Sequence, residues 1–418
     1  RSGPHAVLTG LAGGQLRHKW RGASWDSPMI LSVTSIVCDL QRSRAPISAH
    51  GPSTTLCEDE PDHDGRQRGR HVADRLVLHI GLMKSGTTFI QQRCNVNRET
   101  LAQQGILFPG PTWGTQARAV ADLNGSKHAH EGAWASLRDE INAHPGTAIV
   151  SMESLAPIRA PRIAQLVSDF PGTNLRVVVT VRDLGRTVPA MWQETVKNRG
   201  TSTWAEYLHA IEHGGGAGKR FWRRQSAGQI VNRWAKGVGA DHVTVITVPP
   251  PGAPSELLWE RFCQVAGITP ADWVEAPLAN ESLGAPSAML MRRLNVELAD
   301  LGVQAYKRRV KAFGKHVLVH RKRDEDAIGF TVPAWLRRKS TRMISAIAES
   351  GVEVVGDLTE LEPVDTRGAD PDSVRPEQEL ESAVAALSTV LRDGTPDWAR
   401  KAVRRAKAQT GGEPRSGP

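Results

Sequence analysis

Short apolar runs and longer stretches of helical period alternate through the middle of the chain. Leu76-Val77-Leu78-His79-Ile80 is apolar but for one residue and stops at Gly81, after which a helical spacing opens beyond Gly86. A second run covers 147–152, with Ala148-Ile149-Val150 at its centre. The third is Leu175-Arg176-Val177-Val178-Val179-Thr180-Val181, and the fourth, 242–248, is stopped by Pro249, Pro250 and Pro251. Such brief apolar runs predict strands, and the third, apolar on nearly every residue, is expected to be buried on both faces. Between them the period changes: Pro161 suits a first helical turn, and 187–197 and 221–236 have helical spacing. Strands alternating with helices predict an α/β fold, a doubly wound parallel sheet with helices on both faces. Past Asn280 the pattern is helical over 285–301, 333–350 and 377–391, which predicts a mainly helical C-terminal part.

The ends differ from this middle. Residues 1–70 are dominated by Gly, Ser, Pro, Arg and His without a sustained period, and are expected to form a disordered extension. The expected organisation is then an α/β core over 71–280, a helical part of the same domain over 281–405, and a frayed tail over 406–418. No apolar run reaches the roughly 18–20 residues of a membrane helix, Met29–Val37 being shorter and interrupted by hydroxyl residues. No stable membrane insertion is expected. Cys38, Cys57, Cys94 and Cys263 are scattered, which suits a reducing cytoplasm better than a disulfide framework or a zinc knuckle. A net charge of +9 favours anionic partners, whether nucleic acid, an acidic membrane face or a nucleotide. Nucleic acid is the least favoured, since aromatic–basic ribonucleoprotein sequences, a helix-turn-helix pattern and zinc ligands are all missing.

The chemistry concentrates in two segments. Gly81-Leu82-Met83-Lys84-Ser85-Gly86-Thr87-Thr88 joins the first strand to a helix, where an open α/β sheet binds its ligand. Glycines let the backbone fold around an anion, helix-start N–H groups point at it, Lys84 adds charge, and Thr87 and Thr88 add hydroxyls. The spacing departs from the nucleotide-triphosphate pattern G-x-x-x-x-G-K-[ST], because Gly86 is followed by Thr87 and the lysine stands two residues earlier. The order Lys-Ser-Gly-Thr-Thr resembles the 5′-phosphosulfate loop of sulfotransferases, with Met83 where that family usually has proline. The second segment ends the third strand with Val181-Arg182-Asp183, and an arginine released there can grip a phosphate in forked geometry. It is similar to the sulfotransferase 3′-phosphate motif, except that the serine expected eight residues later is Ala190. Arg186 and Ser226 are alternative substitutes for that serine, and the basic run 307–323 for a closing loop that the family carries.

The resemblance covers roughly 75–295 and implies a P-loop-like fold. It also implies transfer of a sulfo group from 3′-phosphoadenosine 5′-phosphosulfate to an acceptor hydroxyl or amine, without a metal. By the same resemblance Lys84 stabilises the leaving oxygen, and Lys84, Ser85, Gly86, Thr87, Thr88 and Arg182 hold the donor. Glu153, just past the second strand, is the candidate general base, with His128, His130 and Glu194 in reserve. The acceptor class stays open among small molecules, carbohydrates and lipids. An alternative reading is a phosphotransferase that uses Mg-ATP and places Asp183 on the metal.

Overall fold

The structure, a computed structural model, describes residues 73–126, 129–275 and 282–392. The expected extension, the tail, His128 and Asn280 lie outside the described residues. Six strands form one sheet: β1 (Arg75–His79), β2 (Ile106–Leu107), β3 (Thr147–Ser151), β4 (Asn174–Val181), β5 (Val243–Thr247) and β6 (Glu353–Val355). Their order is β2-β3-β1-β4-β5-β6, and every pairing is parallel.

Alternate residues of each central strand feed two separate cores, which is why these strands read as continuous apolar runs. Leu76 and Leu78 of β1, Ala148 and Val150 of β3, and Val177, Val179 and Val181 of β4 enter the larger core. Val77, Ile149, Val178 and Ile246 enter the smaller one, under the helices Thr87–Val96 and Leu257–Ala266. Helices therefore cover both faces. Each fully buried aliphatic side chain contributes about 1.5–3 kcal/mol, so the central strands are the best-anchored backbone in the molecule.

The strand order places a switch point beside β1. The chain leaves β1 toward β2 and β3 on one side, then crosses to β4, β5 and β6 on the other. At such a point the crevice beyond the strand ends is free of crossing connections, and ligands bind there. His79 closes β1 beneath it, with Nδ1 2.7 Å from Ser151 Oγ and Nε2 3.1 Å from Thr180 Oγ1. Burial pushes this imidazole down to about 3, so a neutral ring ties β3, β1 and β4 together.

One feature adds to the sequence-based expectation and another departs from it. The C-terminal part is not only helical: besides helices Ala285–Glu297, Ala334–Ala348 and Pro376–Arg392 it supplies the edge strand β6. The helix expected over 221–236 is two helices, Gly216–Gln225 and Ala227–Val238, broken at Ser226. None of the helices among the described residues is long and apolar enough to cross a membrane.

Candidate active site

The segment after β1 still follows β4 before it turns. Ile80 N–H donates to Val178 O at 2.9 Å and Leu82 N–H to Thr180 O at 2.8 Å. The turn then has three residues in left-handed backbone, Gly81 (φ 59°), Lys84 (φ 66°) and Gly86 (φ 78°). Glycine is required at both glycine positions, since a Cβ on Gly81 would collide with the Thr87 methyl and one on Gly86 with Leu258. Lys84 adopts this conformation against its own preference, at a cost of about 1–2 kcal/mol.

What holds the strained turn also aims it. Gln225 Nε2 donates to Met83 O at 2.8 Å, and Arg182 NH1 to Lys84 O at 3.3 Å. With these carbonyls tied back, the N–H groups at the start of helix Thr87–Val96 face the crevice. Gly86, its N-cap, offers no side-chain cap, and the first turn has no acidic residue. The positive end of a three-turn helix is thus left for an anion. The Oγ of Ser85 is buried without a hydrogen-bond partner among the described residues, as is the Nε of Arg182. Buried donors normally have partners, so these two orphans beside the turn suit a polar ligand there.

Arg182 and Asp183 at the end of β4 have different fates. Burial first, then the neighbouring Arg186, lowers Arg182 to about 10, with Asp183 opposing. Asp183 is fully buried and caps helix Leu184–Lys197: its Oδ1 accepts from Arg186 N–H at 2.9 Å, and its Oδ2 accepts from Arg186 Nε. Arg186 also donates to Pro249 O at 2.8 Å and Val248 O at 3.3 Å. Arg186 is therefore engaged with protein atoms through all three guanidinium nitrogens. In the turn that contains Ser226, the residue that reaches the loop is Gln225.

The two carboxylates flank the loop on opposite sides. Glu153 opens the short turn Glu153–Leu155, lies against Gly81, and accepts from Gln91 Nε2 at 2.9 Å. Glu194, on helix Leu184–Lys197, accepts from Lys84 Nζ at 2.6 Å and from Asn198 Nδ2 at 2.6 Å. His130 is exposed in the turn before helix Ala133–Asn142. Trp192 and Trp204 are core residues packed edge to face, with ring centroids 5.5 Å apart.

Around Glu194 the fold gathers cations that no local motif announces. Lys311 Nζ donates to Asn198 Oδ1 at 2.6 Å, bringing the basic run 307–323 to the loop. Lys197 is lowered to about 8 by burial first, then by Lys84, Lys311 and Lys322, with Glu194 opposing. Lys311 and Arg224 are lowered as well, burial again being the largest cause, and Glu194 opposes both shifts. The basic character of 307–323 is visible in the sequence; its meeting with Lys197 and Arg224 is not. Among the described residues, no group of three His, Cys, Asp or Glu is arranged to hold a metal ion.

Fold and loop thus define an α/β protein with an uncapped helix N-terminus at the switch point of a parallel sheet. The fold is similar to the crystal structure of a sulfotransferase from Alicyclobacillus acidocaldarius, at 16% identity and a TM-score of 0.35, over 56% of this chain and 100% of the other. A likeness of that size assigns neither fold family nor function. No family model matches the chain, and no curated protein matches it.

Proposed function

We propose that this protein is a sulfotransferase that moves a sulfo group from 3′-phosphoadenosine 5′-phosphosulfate to an acceptor hydroxyl or amine. The observation that carries the reading is the cradle itself: a loop whose lysine precedes its second glycine, with the buried hydroxyl of Ser85 left without a partner and the helix start at Gly86 left without a side-chain cap. The first-turn N–H groups of Gly86, Thr87 and Thr88 hold the 5′-phosphate. Lys84 stabilises the charge that builds on the bridging oxygen as the sulfur–oxygen bond breaks, and such preorganised donors are usually the largest catalytic contribution. Arg182 takes the 3′-phosphate. Glu153 accepts the proton that the acceptor loses as its oxygen or nitrogen bonds to sulfur, and 3′,5′-bisphosphoadenosine leaves with the electron pair.

The competing reading, a kinase-like enzyme using Mg-ATP, needs a strand-end carboxylate turned to the metal. Asp183, the carboxylate at that position, is enclosed as a helix cap and bound to Arg186. That engagement favours the sulfo donor. The test follows label from a sulfur-labelled donor into a panel of hydroxyl and amine acceptors. Labelled product together with released 3′,5′-bisphosphoadenosine is the expected result; labelled phosphate transfer from ATP instead overturns it.

A further inference from the structure

We propose that the exposed apolar face of helix Pro376–Arg392 is a docking surface for the chain's own residues 396–409, folded back along it as the second arm of a helical hairpin. The helix is fixed by its other face. Glu379, Ser382 and Ala386 are buried, Ser382 Oγ donates to Glu325 Oε1 at 2.7 Å, and Arg293 NH1 donates to Glu379 Oε2 at 3.2 Å. That anchoring turns Leu380, Val384, Leu387 and Leu391 outward, each between 55% and 72% exposed. Their spacing of four, three and four residues is that of a coiled-coil seam, which presents one narrow stripe to a second helix. Scattered apolar residues on a surface need no explanation; an aligned stripe does.

The sequence after Arg392 matches the stripe in length, pattern and charge. Asp393-Gly394-Thr395 has the length of a turn between antiparallel helices, and Thr395-Pro396 is a helix-start pair. Beyond it Trp398, Ala402, Val403 and Ala406 recur at helical spacing and fall on one side. Arg400, Lys401, Arg404, Arg405 and Lys407 fall on the other. At about 1.5 Å per residue the segment 396–409 would span about 20 Å, against about 16 Å from Leu380 to Leu391. Folded back through that turn, Trp398 and Ala402 come level with Leu391 and Leu387, and Ala406 with Val384. Lys407 then lies within a turn of Glu381, which with Glu377 gives the stripe an exposed acidic rim for a basic arm. Size argues against a second copy as the occupant. One stripe of four side chains falls short of the roughly 800 Å² that each partner gives to a stable complex between separate molecules. A tethered arm needs less, because a short linker holds it at about millimolar effective concentration.

The hairpin is independent of the proposed sulfo transfer, so the two fail separately. Its test is limited trypsin digestion of the full chain under native conditions, with mass spectrometry reading cleavage after Arg404, Arg405 and Lys407. Cleavage there requires the arm to lift, so its rate follows the open population. Leu387→Glu and Trp398→Ala stand on opposite sides of the contact. Each should raise that rate at least about tenfold, the scale of one buried apolar side chain, and shift Tm by less than a few degrees. Equal rates in the wild type and both variants overturn the inference. Sedimentation of the same proteins tests the second copy: a wild-type dimer that Leu387→Glu dissociates, with the cleavage rate unchanged, gives the stripe to that copy and overturns the inference. Protection that appears only when phosphatidylglycerol vesicles are added gives the arm to a membrane surface, and overturns it as well.

Discussion

Replacing Arg182 by methionine separates a ligand-binding arginine from a structural one, because the two roles predict opposite signs. In the free protein the guanidinium is buried, repelled by Arg186, and lowered from its ordinary value to about 10. At about 1.4 kcal/mol per unit of pKa, its charge is disfavoured on the order of 3 kcal/mol. Against this stands one 3.3 Å hydrogen bond to Lys84 O, worth about 1 kcal/mol. Arg182→Met keeps the aliphatic stem and removes the charge, so the free protein should keep its Tm or gain a few degrees. The sign follows from linkage: the folded value lies below the unfolded one, so the penalty is complete below about pH 10 and is relieved as pH rises beyond it. The gain should therefore hold across neutral pH and shrink above about 10. Binding should move the other way. A charge-assisted contact of about 1.5–3 kcal/mol makes the loss for 3′,5′-bisphosphoadenosine roughly tenfold or more. Adenosine 5′-phosphosulfate, which lacks the 3′-phosphate, should lose far less. Scanning calorimetry and isothermal titration read both quantities. A marked fall in Tm together with equal losses for the two ligands would make Arg182 a structural residue and refute the reasoning.

Three further outcomes are expected. Lys84→Ala should fold and lose about 10²–10³ in turnover, read by label transfer; normal turnover removes the lysine from the mechanism. Glu153→Gln should cost about 10²–10⁴ in turnover with a hydroxyl acceptor and leave nucleotide affinity intact, whereas Glu194→Gln, which frees Lys84, should tighten nucleotide binding; if only the second abolishes turnover, the base is Glu194. Gly86→Ala forces a side chain into left-handed backbone against Leu258, and should destabilise by about 2–4 kcal/mol in urea while abolishing nucleotide binding.

The four central strands are legible because both their faces are buried, so composition alone marks them. The expected runs meet β1, β3, β4 and β5 within a residue or two. β2 and β6 leave no such mark: Ile106–Leu107 is a two-residue strand, and Glu353–Val355 is an edge strand that begins on an exposed glutamate. The break between residues 225 and 227 is equally silent, since Ser226 is no strong helix breaker. At the site, the loop and Arg182 are local in sequence, and local spacing reveals them. Arg224 and Gln225 come from one helix and Lys197 and Lys311 from two others, so tertiary packing alone decides their convergence. The engagement of Arg186 by Asp183 is a contact three residues apart, but whether that arginine faces a ligand or its own cap depends on the backbone of 248–249, which no pattern encodes.

Under the proposed function the cradle after β1 holds a nucleotide with a 3′-phosphate and not a magnesium-bound triphosphate. Thermal denaturation of the full chain with saturating 3′,5′-bisphosphoadenosine, and separately with saturating Mg-ATP, tests it directly. A ligand at about 100 times its Kd stabilises by about 2.7 kcal/mol, which for a domain of this size is a shift of several degrees. That shift is expected with the bisphosphate, and none with Mg-ATP. A shift with Mg-ATP and none with the bisphosphate contradicts it.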